Sequence, residues 1–104
     1  MMSPDEAIQC LERMGLKTLF YSNTEGIELI GGLEIQEFAF GKTVGLEVSE
    51  PGFSIRQQKE RWLVIIQDKD TLFERDLCRF TDTLEESVEF IRSLYRKWGV
   101  IRDS

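Results

Sequence analysis

The chain has 104 residues, 41% of them hydrophobic and 11% aromatic, with two prolines and a formal net charge of −6. That length and composition suit one domain, residues 1–104, around one packed core, and they exclude an intrinsically disordered chain. There is no histidine, which removes the commonest general base and the commonest neutral metal ligand.

The N-terminus Met1-Met2-Ser3-Pro4-Asp5-Glu6 has acids where a signal peptide needs a basic and then an apolar segment, so a cytoplasmic location is expected. The first element is a helix: Ser3 as N-cap, Pro4 at the first helical position and Glu6 three residues after the cap make a capping box. Ala7, Ile8, Leu11 and Met14 mark its apolar face and Gly15 its end.

Beyond Lys17 the period changes to two. Strands are expected at 17–22, 26–31, 33–40, 43–49, 53–58, 61–67 and 71–80, separated by turn residues close enough to require antiparallel neighbours. Phe73, Leu77 and Phe80 also fit helical spacing, but strand is the preferred reading of 71–80. Gly31-Gly32 suggests a bulge or bend that merges the second and third strands into one. The longest apolar run, Trp62-Leu63-Val64-Ile65-Ile66, has strand length, well short of the roughly 20 residues that cross a bilayer.

The last element is a second helix, with Thr83 as N-cap in a capping box with Glu86. Its stripe is Leu84, Val88, Ile91, Tyr95 and Trp98, widened by Phe90 and Leu94. Glu85 and Glu89 sit toward its positive end, while Arg92, Arg96 and Lys97 crowd its negative end before Gly99. The stripe covers too few heptads for a coiled coil, so packing on the sheet is expected. The fold class that follows is α+β: an antiparallel β-meander of about five to seven strands, covered on one face by an N-terminal and a C-terminal α-helix.

Several apparent motifs dissolve on inspection. Gly41-Lys42-Thr43 lacks the earlier glycine of a phosphate-binding loop, with Gln36 in that place, and reads as a hairpin turn. Asp68-Lys69-Asp70 starts like a calcium loop, but Leu72, Phe73 and Arg79 stand where ligands and a glycine are required. Cys10 and Cys78 are too far apart for a CxxC pair and read as small core residues. Lys59, Arg61 and Trp62, like Arg96, Lys97 and Trp98, put cations beside an aromatic ring, yet the overall acidity opposes a polyanion. No metal, cofactor, nucleic-acid or membrane partner is expected, and no stretch resembles a named family closely enough to carry residues over.

The informative asymmetry is in charge. Residues 23–50 hold Glu25, Glu28, Glu34, Glu37, Glu47 and Glu50 against Lys42 alone, a net −5, while residues 51–104 are neutral. If Ile27, Leu29, Leu33, Ile35, Val44, Leu46 and Val48 face the core, period two turns Glu28, Glu34 and Glu47 to the other face as a carboxylate patch across neighbouring strands. The expected function is a non-enzymatic protein-binding module for a basic protein partner, of the kind small acidic inhibitors or immunity proteins exemplify. A hydrolase using paired glutamates would need a pocket. The alternative is a structural or regulatory homo-oligomer, a homodimer for instance, joined through strand edges or through apolar surface left by Tyr95, Trp98, Val100 and Ile101.

Overall fold

The computed structural model describes residues 1–49, 51–67 and 77–101. The element order is α1 (Pro4–Arg13), β1 (Lys17–Asn23), β2 (Gly26–Gly32), β3 (Ile35–Phe40), β4 (Thr43–Val48), β5 (Gly52–Gln58), β6 (Arg61–Gln67), β7 (Leu77–Thr81) and α2 (Leu84–Lys97). The strands form two antiparallel sheets: five strands in the order β1-β2-β5-β6-β7, and a separate two-stranded ribbon of β3 and β4. The fold is α+β with an N-terminal and a C-terminal helix. Of the strand expected at 71–80, the part from Leu77 is observed as β7, and residues 71–76 lie outside the described residues. The 68–70 turn lies outside them too.

Both helices start where local chemistry directs them. The Ser3 hydroxyl accepts from the Glu6 N–H at 3.2 Å, and the Glu6 carboxylate accepts from the Ser3 N–H at 3.3 Å, which closes the capping box. At α2 the Thr83 hydroxyl accepts from the Glu86 N–H at 3.1 Å.

The stripe of α2 packs onto the sheet. Leu84, Val88, Ile91 and Tyr95 join Ala7 and Leu11 of α1, and Leu29, Phe53, Ile55, Val64 and Ile66 of the strands, in the core cluster. Tyr95 is fully buried between elements, with its hydroxyl donating to the Pro51 carbonyl at 2.7 Å, its ring edge-on to Phe53 and its other side stacked on Trp98. Ile101 is buried in the same cluster and Trp98 is half-buried. Tyr95 and Ile101 therefore leave no exposed apolar surface, contrary to expectation, whereas Trp98 stays part-exposed. Packed on the sheet, the helix buries the centre of its stripe and Ile101 just past its last turn, and leaves Trp98 at the stripe's end.

The glycine pair ends the second strand instead of bulging it. Register between β1 and β2 runs without interruption from Asn23↔Gly26 to Lys17↔Gly32. A Cβ at Gly31 would run into the Lys17 carbonyl and come within 2.6 Å of the Phe53 ring, so the sheet closes there only around glycine. Past Gly32 the chain leaves this sheet, and β3 begins at Ile35 in the ribbon.

Of the two cysteines, Cys10 is partly buried against the core and accepts from Arg92 Nη2 at 3.1 Å. Cys78 is exposed, contrary to expectation, because β7 register places it on the sheet face away from the helices.

Candidate functional site

Registers sort the five strands into two faces. The helix-covered face carries Leu29, Phe53, Ile55, Val64 and Ile66. The opposite face carries Leu19 and Tyr21 of β1, Glu28 and Ile30 of β2, Ser54 and Arg56 of β5, Leu63 and Ile65 of β6, and Cys78 and Phe80 of β7. Glu28 is the one carboxylate among these five strands' described residues on that face, and Arg56 Nε meets it at 2.9 Å. Leu63 lies in register between Arg56 and Phe80 and is only 9% exposed. Arg61 adds its guanidinium over the Phe80 ring, 5.0 Å from the centroid. The face thus has apolar residues around a neutralised Glu28–Arg56 pair, with Lys17, Asn23, Gln58, Arg61 and Gln67 at the strand ends, where the alternation of β2 alone suggests an acidic one.

The three candidate glutamates sit on three different pieces of chain. Glu28 is on β2, paired with Arg56; Glu34 is in the connection after Gly32; Glu47 is on β4, opposite Gln36 in the ribbon. Since β4 pairs with β3 and not with a strand of the larger sheet, Glu28 and Glu47 do not share neighbouring strands. The core expected behind them is corrected in the same way. Leu29 is buried and Ile27 packs on the core, whereas Leu33, Val44 and Leu46 are exposed and Ile35 and Val48 are half-buried. A ribbon that leaves the sheet takes its apolar residues with it.

The ribbon itself is the most distinctive surface. Its base is fastened by two bonds, Ser49 N–H to the Glu34 carbonyl at 2.9 Å and Glu34 N–H to the Ser49 hydroxyl at 2.8 Å. Its tip is the two-residue Gly41-Lys42 turn expected from the sequence, with Gly41 at φ +64° in the place where a tight hairpin favours glycine. Cross-strand pairing puts Ile35, Glu37, Ala39, Val44, Leu46 and Val48 on one face and Gln36, Phe38, Phe40, Thr43, Gly45 and Glu47 on the other. The Phe38 ring covers Gly45, and a Cβ there would have to displace it. Phe40 is 84% exposed and Val44 69%, with Phe38 and Leu46 also exposed.

Sequence reasoning passed over Phe38 and Phe40, although a signal was present. From Leu33 and Ile35 the apolar positions are odd, and at Phe38 and Phe40 they become even. A strand apolar on both faces beside glutamates cannot lie in a one-layer sheet with one wet face. The unbroken run Trp62–Ile66 carries the same message for β6.

Where the ribbon leaves the body it leans over the face away from the helices: a Cβ on Gly32, which points to that face, would meet Val48 Cγ1 at 2.7 Å. Between ribbon and β1 lies an open groove of about 840 Å³, lined by Glu12 and Leu16 on the helix side, Leu19, Phe20 and Tyr21 along β1, and Ile35, Glu37 and Leu46 from the ribbon. Compared with protein-family models, curated proteins and solved structures, the chain matches none. No helix among the described residues is long and apolar enough to cross a membrane.

Proposed function

We propose that this chain is a non-enzymatic protein-binding module that engages a basic protein partner through the β3–β4 ribbon. The observation that carries the reading is the exposure of Phe38, Phe40, Val44 and Leu46 on a two-stranded ribbon that, among the described residues, pairs with no strand of the larger sheet. Two-stranded ribbons are marginal in water, and clustered apolar side chains on a protruding element are typical of contact surfaces. Large aromatics such as Phe38 and Phe40 supply contact area at low entropic cost, and the carboxylates Glu34, Glu37 and Glu47 against Lys42 favour a partner of opposite sign. In this reading the acidic stretch selects the charge of the partner. Its carboxylates are spread over the base and both faces of the ribbon and do not form a flat patch.

Photo-crosslinking tests this directly. With p-benzoylphenylalanine at Phe40, irradiation in the native cells should join the chain to one or a few basic proteins, and the same probe at Glu85, exposed on α2, should not. The adducts should disappear when excess unlabelled wild type competes and persist when the competitor carries Phe40→Ser with Val44→Thr. Equal adducts at both positions would refute a ribbon-specific surface. Adducts joining two copies of the chain would replace the reading with the homo-oligomer.

A further inference from the structure

Resting on the reading above, we propose that the groove along β1 takes an extended segment of the basic partner as an added strand, one with Lys or Arg among β-branched or aromatic residues. Among the described residues β1 pairs with β2 alone, so its outer edge presents unpaired N–H and C=O groups. That edge is lightly protected, with a single lysine at one end. It has no proline, its register with β2 runs without a bulge, and its one charge is Lys17 at the start.

The walls of the groove say what the segment must look like. Side chains of an added strand alternate between two flanks. On the helix-covered flank they meet Phe20 and Glu12; on the other flank they meet Leu19, Tyr21, Leu46 and Glu37. Each flank therefore offers apolar surface and one carboxylate, so a cation on each side of the strand finds a partner, while Lys17 disfavours a cation at its own end. Phe20 and Tyr21 are both substantially exposed and stand ready to be covered. A strand from a second copy is the weaker occupant, because it would bring two chains of net charge −6, each with its acidic ribbon, side by side.

The test uses the whole chain and three capped octapeptides: Val-Thr-Val-Lys-Lys-Val-Thr-Val, whose adjacent lysines point to opposite flanks; the same peptide with Glu-Glu at its centre; and the Lys peptide N-methylated at its central amides. The Lys peptide should shift the backbone amides of residues 17–23 in NMR spectra and bind with an affinity that falls as ionic strength rises from about 0.05 to about 0.5 M. The Glu and N-methylated peptides should each bind at least about tenfold more weakly. Glu12→Lys combined with Glu37→Lys, both at exposed positions, should weaken the Lys peptide by a similar factor while leaving the unfolding midpoint unchanged.

No binding by the Lys peptide, shifts centred away from residues 17–23, or indifference to N-methylation would each overturn the proposal. Should the Phe40 adducts form while these peptides fail, the ribbon reading stands and the groove falls. Should the peptides bind and the adducts be absent, the groove stands and the ribbon reading falls.

Discussion

Tyr95 shows how much one side chain can connect. It arrives on the stripe of α2, fills the core against Phe53, and ends in a hydroxyl that donates to the Pro51 carbonyl just before β5. Tyr95→Phe keeps the ring and removes the donor, so stability should fall by about 1 kcal/mol, read as a lower urea midpoint at unchanged slope. An unchanged midpoint would mean that the carbonyl finds water as good a partner. Thr81 and Ser87 make a smaller connection of the same kind, their buried hydroxyls 2.6 Å apart where β7 gives way to α2. Residue identity was legible in the sequence for Tyr95 as an apolar-stripe position, but its partner was not, because Pro51 lies 44 residues earlier and nothing local marks the pairing.

At the scale of elements, capping and periodicity carried the reading. Ser3 and Thr83 start their helices as the sequence indicates, and the Gly41-Lys42, Lys59-Glu60 and Thr24-Glu25 turns fall between the strands they join. The Asn23 side chain accepts from the Glu25 and Gly26 N–H groups, which sets the first hairpin by local chemistry alone. Strand alternation was a weaker guide. It says which residues share a face and is silent on which sheet the face belongs to. Gly31 is where that second question is decided, through contact and not through backbone freedom. Gly31→Ala should cost stability in the range of an overpacked core, about 1–3 kcal/mol or more, because its Cβ meets backbone and a buried ring that have little room to yield. Thermal unfolding measures it, and a neutral result would mean that β1 can drift outward from β2 at no cost.

For the whole molecule, the ribbon is an insertion between two strands that already pair. β2 and β5 are direct neighbours, with Gly31 opposite Phe53, and Glu34 and Ser49 are hydrogen-bonded at the ribbon's base. Replacing residues 35–48 with Asn-Gly should therefore leave the five-stranded sheet and both helices folded, with little change in the circular dichroism of the remainder, since shortening a loop carries a small entropic effect. Loss of cooperative unfolding in that variant would show that the ribbon is a structural part of the body and not an appended contact element.

What the sequence determined by itself were the properties that depend on near neighbours: two capped helices, the antiparallel hairpins, the α+β class, and the concentration of negative charge in residues 23–50. What only the tertiary structure decided was where those pieces sit. It set β3 and β4 apart from the larger sheet, paired Glu28 with Arg56, buried Tyr95 and Ile101, and left Phe40 in solvent. The physical reason is that periodicity and capping act over a few residues, whereas the choice of sheet turns on contacts between distant strands. Here that choice joins β2 to β5 across 19 intervening residues, and nothing within either strand encodes it.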